Sequence, residues 1–309
     1  MSAALRDVWG ETMVELCRER TEVYVLDGDL GNSTRADKVD REVPERFLPM
    51  GIAEQNMMGV AAGLASCGLI PWLSSFAAFF THRSADQIRV VVAQTGLPVK
   101  IGAAYAGLLT GLTGKTHQDM EDLAIMRAMP GMTVLAPADP AECRALIRWA
   151  TDSPGPVYLR LARDAEREVF DAGYRVRPGQ PVVLRAGGRV RLVGTGVQTA
   201  RLVDAAESLA ASNLEIGLVH LPFVKPFDAA ALAAALDGAD LVVTAEEHNV
   251  IGGLGGLVAE TVTSHRPVKV LRLGVQDEWG ESAPNQALLE RHGLSAERVA
   301  RRVLAEVSG

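Results

Sequence analysis

The sequence predicts an α/β protein built from two successive open, mostly parallel sheets covered by helices. Short apolar, strand-like runs alternate with helical patterns along almost the whole chain. The length of 309 residues is enough for two domains, at roughly 100–200 residues each. The alternation is interrupted once, by a stretch rich in charge, Gly and Pro. We therefore expect one domain at residues 1–165, a linker at 166–187 and a second domain at 188–309.

Helical and strand-like segments follow one another regularly in the first domain. The expected helices are Asp7–Arg20, Glu54–Cys67, Ala77–Ala93, Thr116–Met129 and Asp139–Thr151. The expected strands are Val23–Leu26, Leu69–Ser74, Val99–Ala103, Thr133–Ala136 and Val157–Leu161. Gly68 is the expected C-cap of the second helix, and Thr116 with Asp119 suggests a capping box at the fourth. Strands and helices at this spacing predict a parallel sheet with both faces covered.

The second half shows the same alternation, without a detectable sequence repeat of the first. The expected strands are Val190–Val193, Glu215–His220, Leu241–Thr244 and Val268–Leu273. The expected helices are Thr199–Ala211, Asp228–Leu236, Leu254–Ser264, Asn285–Arg291 and Ser295–Val307. This pattern predicts a second, smaller α/β sheet.

Composition argues against several classes of protein. The formal net charge is −7 and no run of five or six like charges occurs, which argues against a nucleic-acid or membrane surface. Cys17, Cys67 and Cys143 are far apart and read as reduced thiols rather than a disulfide frame or zinc site. The first residues lack an apolar signal-peptide core. We expect a cytoplasmic protein.

One long uncharged stretch, residues 55–81, has the length of a membrane span. Gly68 and Pro71 interrupt it, and its hydrophobic period changes across that break. A helix followed by a strand and a second helix explains the pattern better, so we expect a soluble protein.

The chain is organised around Glu54, the single carboxylate at the head of that uncharged stretch. One interpretation is a first-turn acid favoured by the helix dipole. The other is a functional acid whose burial requires something that shares its proton or neutralises its charge. Gly59 and Gly63 lie four residues apart and form a face small enough for another backbone to pack on it.

Other residues carry both structural and chemical interpretations. Phe76, Phe79 and Phe80 have the spacing of a helical core face. His117 is expected at a helix start, where the dipole favours a neutral ring that can donate a hydrogen bond to an oxygen, although an ordinary surface histidine is equally open. Arg160 and Arg163 end a strand and suit either phosphate or interdomain salt bridges.

The second half contains two further groups to weigh. Glu246, Glu247 and His248 are consecutive at a strand end, so their side chains point in different directions and a metal site is disfavoured. The glycine run 252–256 opens a helix and could hold an anion, although close packing of a turn is the favoured explanation.

Several of these segments together resemble the transketolase family of thiamine-diphosphate enzymes. They are Gly51–Ala65 around Glu54, Pro71–Phe79, the Gly-x-Thr-His-Gln run ending at Gln118, Glu121–Arg127, and Lys225-Pro226-Phe227-Asp228. The resemblance implies that Glu54 protonates the aminopyrimidine ring of the cofactor. It implies that Phe79 stacks on that ring, that Phe76 forms a neighbouring wall, and that Asp29 also contacts the cofactor.

The same resemblance implies a substrate-binding set. Its members are Ser33, His82, Tyr105, Thr113, His117 and Arg163. His117 would contact the donor ketose, and it joins Glu54 as a catalytic residue. Arg163, helped by Ser33, would bind a substrate phosphate. Thr113 and Tyr105 stand where the family commonly has an aspartate and a histidine. These differences leave open whether the chain prefers the usual ketose phosphate donor.

The resemblance covers the pyrimidine-binding and C-terminal domains of the family but not the domain that binds the diphosphate of the cofactor. The Gly28-Asp29-Leu30 sequence lacks the second glycine of the metal-binding motif of thiamine enzymes, so we expect no metal site from this chain alone. Mg²⁺ or Ca²⁺ is expected on an N-terminal partner subunit, with two of each chain in the assembly. The implied activity is transfer of a two-carbon ketol unit from a ketose to an aldehyde. The alternatives are a 2-oxoacid dehydrogenase beta subunit, a deoxyxylulose-phosphate-synthase-like enzyme, or a non-catalytic assembly partner.

Overall fold

Two sheets, of seven and five strands, organise the chain. The structure is a computed structural model that describes residues 3–165 and 167–308. Its strands are β1 Val23–Asp27, β2 Phe47–Pro49, β3 Ile70–Phe76, β4 Lys100–Ala104, β5 Thr133–Leu135, β6 Val157–Leu161, β7 Val182–Arg185, β8 Val190–Gly194, β9 Ile216–His220, β10 Phe223–Lys225, β11 Leu241–Asn249 and β12 Lys269–Val275. The first sheet has the order β10-β5-β6-β4-β3-β1-β2 and the second β12-β11-β8-β9-β7.

The helices follow the predicted order along the chain, with two additional short ones, Gly31–Thr34 and Asp37–Glu42, that the sequence pattern did not predict. They are α1 Leu5–Glu19, α2 Gly31–Thr34, α3 Asp37–Glu42, α4 Glu54–Ser66, α5 Ala77–Arg83, α6 Ala85–Gln87, α7 Asp122–Ala128, α8 Pro140–Asp152, α9 Gln198–Ala211, α10 Ala229–Ala235, α11 Leu254–His265, α12 Asn285–Arg291 and α13 Ala296–Ser308. None of the helices in the described residues is long and apolar enough to cross a membrane.

The predicted fold class is confirmed. Each sheet is parallel except at one edge, where β10 runs antiparallel to β5 and β7 runs antiparallel to β9. Apolar side chains cover both faces of the first sheet, with Trp9 and Ile147 on one side and Met57 and Phe80 on the other. Such double coverage explains why its strands read as continuous apolar runs rather than alternating patterns.

The two sheets share a core. Strand β10 belongs to the second half of the chain but pairs with β5 of the first sheet. Val219, Leu232 and Leu257 of the second half pack in the same buried cluster as Met126 and Val134 of the first. The second half therefore packs directly on the first.

A buried arginine of the first half adds one hydrogen bond to this contact. The guanidinium of Arg160 donates to both carboxylate oxygens of Asp122, at 2.9 and 3.1 Å, and to the backbone carbonyl of Glu247 at 2.8 Å. The hydroxyl of Tyr158 also donates to Asp122, at 2.9 Å. The Arg160 salt bridge therefore lies within the first domain, and only its hydrogen bond to the Glu247 carbonyl crosses to the second, so an interdomain salt bridge is not what this residue forms.

The glycine run 252–256 contacts a carboxylate of the chain itself. The carboxylate of Glu246 accepts hydrogen bonds from the backbone N–H groups of Leu254 and Gly255, at 2.6 and 2.8 Å, at the start of α11. Burial nevertheless raises the pKa of Glu246 to about 7. A Cβ on Gly253 would lie 2.0 Å from the Glu246 carboxylate, so the close packing also requires glycine.

Some predicted element bounds were wrong, and some short elements were not predicted. Residues 182–185 of the predicted linker form strand β7, and the short strand β2 was not predicted. The helix predicted for Ala77–Ala93 breaks at Ser84 into α5, α6 and a π-helical turn, Ile88–Ala93. The helix predicted from Thr116 begins only at Asp122, because Gln118 is held by the carbonyls of Leu108 and Glu281, each at 3.1 Å.

Candidate active site

Glu54 is the first residue of α4 and only 3 % of its surface is exposed. The turn before it uses Gly51 with a φ of +69°, a conformation that favours glycine. The nearest cation is Arg83 on α5, whose Nη1 donates to the carboxylate at 3.2 Å. The helix start and this guanidinium both place positive charge beside the Glu54 side chain.

Arg83 also covers an aromatic ring. Its guanidinium carbon lies 3.9 Å from the centre of the Phe79 ring, a distance typical of a cation–π contact. The flat cation therefore contacts a buried carboxylate and an aromatic face at the same time. About half of the Arg83 side chain is exposed, so it can leave this position without disturbing the core.

Phe79 belongs to a cluster of four rings. Phe76 stacks on Tyr105 with centroids 4.0 Å apart and lies 5.5 Å from Phe79. The ring of His117 meets Phe79 and Phe76 edge-on, at 5.3 and 5.8 Å. Phe76 ends β3 and caps α5, while Tyr105 follows β4 with a φ of +58°. The cluster thus forms at the carboxyl ends of adjacent parallel strands, where open α/β sheets bind ligands.

The expectation that His117 opens a helix was wrong. His117 lies in the loop before α7, four residues ahead of its N-cap Glu121. The dipole argument for a neutral ring therefore does not apply. The Nδ1 atom of His117 is 2.8 Å from the hydroxyl of Thr116, which leaves Nε2 for another partner.

A basic group lies on the other side of Tyr105. Arg6 on α1 donates to the Tyr105 hydroxyl at 2.7 Å and to the backbone carbonyl of Ser33 at 2.9 Å. The guanidinium carbon of Arg163 is 5.5 Å from the Tyr105 ring centre. Ser33, Tyr105 and Arg163, which the sequence analysis grouped, are thus connected: Ser33 and Tyr105 through Arg6, and Arg163 through Tyr105. We call Arg6, Ser33, Tyr105 and Arg163 the basic subsite.

Sequence reasoning missed Arg6 because it sits in an amphipathic helix, where a charged residue usually faces solvent. Its partners are 27 and 99 residues away, so no local pattern marks it. Two other candidates stand apart from the rings. Asp29 is an exposed loop residue with a φ of +66°, and Thr113 is exposed on a short 3₁₀ turn, its hydroxyl donating to the Thr110 carbonyl at 3.1 Å.

His82 lies beside two acids. Its Nε2 is 3.8 Å from Asp119 and 3.9 Å from Glu121, and one ligand atom from each of the three lies within 4.8 Å of the others. Asp119 is fully buried. Burial, with the nearby Asp122 carboxylate, raises the pKa of Asp119 to about 7. The buried acid therefore retains a proton up to neutral pH.

The hydrogen bonds around Asp119 also suit a protonated acid. The hydroxyl of Thr81 lies 3.0 Å from the Ala77 carbonyl and 2.5 Å from Asp119 Oδ2. A hydroxyl has one hydrogen to donate. If Thr81 donates to Ala77, a proton on Asp119 completes the second hydrogen bond.

We expect Asp119→Asn to remove part of the pH dependence of stability. An unfolded aspartate has a pKa of about 4, so the folded chain retains a proton that the unfolded chain loses between about pH 4 and pH 7. Across that window the wild type should lose stability relative to Asp119→Asn, by up to about 4 kcal/mol, and the difference should level off above it. Urea unfolding from pH 4 to pH 8 measures this. Parallel curves for the two proteins would contradict it, and exposed Asp86→Asn is the control.

The surface beside Glu54 is open. Gly59 and Gly63 on α4 are exposed, and a Cβ added to either would meet no atom within 4 Å. Among the described residues, nothing packs on this face. The predicted small face therefore exists, and it is available to another chain.

Glu54 and Phe79 suit the aminopyrimidine ring of thiamine diphosphate. That ring is flat and carries ring nitrogens, so it needs an aromatic face to stack on and an acid at its edge. The guanidinium of Arg83, also flat and nitrogen-edged, makes both contacts in this structure. The residues present therefore fit this end of the cofactor.

Comparison with known proteins identifies the protein family of the chain. Residues 1–168 match the family model of the transketolase pyrimidine binding domain, and residues 179–299 match that of the transketolase C-terminal domain. The chain belongs to the transketolase family. The relatives that it matches over nearly their whole length include a C-terminal section of a transketolase and a split-gene transketolase chain. The chain therefore belongs with the C-terminal subunits of split transketolases.

Two curated relatives align with this chain over nearly the whole length of both proteins. A putative transketolase C-terminal section of Methanocaldococcus jannaschii is 38 % identical over 98 % of this chain and 96 % of its own. The 6-deoxy-6-sulfo-D-fructose transketolase subunit of Clostridium sp. (strain MSTE9) is 38 % identical over 96 % and 92 %.

Solved structures agree. A split gene transketolase, described as an inactive beta4 tetramer, is 43 % identical, with a TM-score of 0.90 over 99 % of this chain and 98 % of that one. The transketolase of Pichia stipitis shares the fold, with a TM-score of 0.84 at 21 % identity, and this chain covers 46 % of it.

Proposed function

We propose that this chain is the C-terminal subunit of a two-component transketolase that transfers a two-carbon ketol unit from a ketose to an aldehyde through thiamine diphosphate. The observation that carries the proposal is the Glu54–Phe79 pair, which a single flat, nitrogen-edged group contacts at once. When bound, the cofactor supplies the electron sink for breaking a carbon–carbon bond beside a carbonyl. The protein supplies position and electrostatics.

Each residue of the site has a part in this proposal. Glu54 shares a proton with a ring nitrogen of the cofactor, Phe79 stacks on the ring and Phe76 supports it from behind. His117, through Nε2, hydrogen-bonds an oxygen of the ketose. Tyr105 orients Arg6 by accepting its hydrogen bond.

A second polypeptide completes the site. The N-terminal subunit would hold the diphosphate and its Mg²⁺ or Ca²⁺, and two of each chain would assemble in the cytoplasm. The solved split-gene relative is described as an inactive tetramer of one chain type, which supports a need for the second chain. The open face of α4 at Gly59 and Gly63 is one surface on which the partner could pack.

The basic subsite favours a donor with an anionic end. Arg6 and Arg163 lie around Tyr105, and guanidinium groups bind phosphate or sulfonate oxygens well. The relatives include the sulfofructose transketolase of Clostridium sp. and, at 32 % identity, one chain of an apulose-4-phosphate transketolase from Actinobacillus succinogenes. Both names describe anionic sugars. We propose the same class of substrate here, in carbohydrate metabolism.

Arg6→Gln should test the donor class. Because the subsite touches only the charged end, we expect the KM for phosphorylated ketoses to rise about tenfold or more in the complex reconstituted with its partner. The KM for an uncharged ketose should change little. Steady-state assays with a panel of ketose donors measure both. Arg18→Gln, on the same helix but paired with Glu42 at the surface, is the control. An equal effect on charged and uncharged donors would contradict an anionic-end role, and no transfer from any ketose would contradict the proposed function.

Arg83→Met should tighten cofactor binding. Arg83 occupies the positions that the cofactor ring needs, so the ring must displace it, and a competing conformation weakens apparent affinity. A half-exposed ion pair and a cation–π contact are each worth about 1 kcal/mol or less. We therefore expect the variant complex to be saturated at a thiamine diphosphate concentration about three- to tenfold lower than the wild-type complex requires. Calorimetric titration measures this, with exposed Arg89→Met as the control. Weaker binding would show that Arg83 supports the cofactor instead.

A further inference from the structure

A cavity in the C-terminal half is lined by several basic side chains. It holds about 380 Å³ between the end of β12 and the helices α12 and α13. Its polar lining residues are Gln276, His292, Arg298, Arg301 and Arg302. Three arginines and one histidine are present, without an acid among these residues. In a chain with a net charge of −7, such a concentration of positive charge creates a local field that attracts anions.

The nearby acids only partly neutralise this lining. Arg298 pairs with Glu290 at 2.8 Å, and Arg302 pairs with Glu306 at 3.2 Å. Arg301 makes no salt bridge with any residue that the structure describes, although its charge, with that of Arg298, helps to lower the pKa of the Glu290 carboxyl. Its guanidinium is therefore available to a ligand, and its planar fork matches the oxygens of a phosphate group.

His292 gives a second, independent indication. Its side chain is 2 % exposed, and its Nδ1 lies 3.3 Å from the carboxylate of Glu278. Its Nε2 is buried and has no hydrogen-bond partner among the described residues. Buried polar atoms of native proteins are rarely unpaired, so each exception indicates an absent water, ion or ligand.

We propose that this cavity binds a small ligand carrying two or more phosphate-type negative charges. The volume is within the range of small-molecule pockets, about 300–1,000 Å³. Arg301 and Arg302 would bind the phosphate oxygens. With protons on both ring nitrogens, His292 could keep Nδ1 on Glu278 and, after a small adjustment, donate from Nε2 to the ligand. The site is separate from the basic subsite, which lies on the first sheet.

The position of the cavity also connects it to the His117 loop. Gln276 lines the cavity and Glu278 faces His292. The chain that follows packs on the loop that carries His117. The three hydrogen bonds that join them are Gln118 to the Glu281 carbonyl at 3.1 Å, Ser282 to the Leu112 carbonyl at 2.7 Å and Asn285 to the Leu109 carbonyl at 3.2 Å. A ligand that fixes His292 and Gln276 would therefore steady this loop.

Titration of the full-length chain with inorganic pyrophosphate tests the site. Trp279, 69 % exposed and next to Glu278, reports on the segment by its fluorescence. We expect saturable binding by fluorescence and calorimetry, weakened about tenfold or more in the double variant Arg301→Gln/Arg302→Gln. Arg266→Gln, an exposed arginine elsewhere on the same domain, should bind as the wild type does.

Two further outcomes would overturn the proposal. Equal binding by the double variant and the wild type would show that pyrophosphate does not use this cavity. Loss of binding in Arg163→Gln but not in the double variant would assign it to the basic subsite instead. Hydrogen exchange of residues 107–118 tests the connection. We expect slower exchange with pyrophosphate in the wild type and no change in the double variant, and unchanged exchange in a saturated wild type would exclude the coupling.

Discussion

Glu54→Gln should remove nearly all turnover of the reconstituted complex while leaving the complex assembled. The amide keeps the size of the acid and can still hydrogen-bond, but it has no proton to share with a ring nitrogen. Proton transfer by a positioned side chain contributes about 10²–10⁴-fold to rate, and we expect a loss in that range or beyond. Steady-state assays at saturating cofactor and donor measure kcat, and size-exclusion chromatography measures assembly.

The matched control is Glu42→Gln, the same change at a surface carboxylate that pairs with Arg18. It should keep normal turnover. Near-normal kcat in Glu54→Gln would refute the acid role and would support the first-turn, dipole-related interpretation of this residue. A loss of assembly with Glu54→Gln would indicate that the carboxylate is structural at the subunit contact.

Arg160→Met should be the most destabilising of the substitutions considered. Arg160 supplies two hydrogen bonds to the fully buried Asp122 and one to the Glu247 carbonyl. Removing the cation leaves the buried Asp122 carboxylate with the Tyr158 hydroxyl as its one side-chain partner among the described residues, and breaking one side of a buried pair costs about 3–5 kcal/mol. Urea unfolding at pH 7 measures the free energy of unfolding.

The double variant Arg160→Met/Asp122→Asn separates this cause from lost packing. Because it also removes the buried charge, it should recover a substantial part of the loss. Arg266→Met, which breaks an exposed pair with Asp237, should change the free energy of unfolding by about 1 kcal/mol or less. A loss for Arg160→Met that is equally small would show that the buried pair contributes little to the free energy of unfolding.

The fold was accessible from sequence because both sheets repeat one local pattern. Apolar strands and amphipathic helices alternate, and β3 and α4 lie at their predicted places. Edge elements were missed because they depend on distant partners. Strand β7 has only alternate residues half-buried and pairs with β9, more than 30 residues later. Strand β10 joins a sheet formed by the other half of the chain.

The predicted helix from Thr116 shows the limit of local rules. The Thr-x-x-Asp spacing satisfies a capping pattern, but Asp119 is buried against Thr81 and its backbone carbonyl accepts from Gly107. Gln118 is held by the carbonyls of Leu108 and Glu281. Tertiary hydrogen bonds outweigh a single local cap, and they keep His117 in a loop beside Phe79.

The candidate site could be predicted only in part, because some of its contacts join residues that are distant in sequence. Glu54 stands out by its isolation in an uncharged stretch, and the four-ring cluster assembles at strand ends, where the alternating pattern places it. Arg6 and Arg83 carry no local signal, since arginine is common on helices and their partners, Tyr105 and Glu54, are remote in sequence.

A structure of the chain with its N-terminal partner and thiamine diphosphate tests the central claim most directly. We expect a Glu54 carboxylate oxygen within about 2.6–3.2 Å of a ring nitrogen of the cofactor, the ring stacked on Phe79, and the Arg83 guanidinium displaced from both. A cofactor bound elsewhere while Arg83 still covers Phe79 and Glu54, or a Glu54 side chain turned to solvent in the loaded complex, would contradict it.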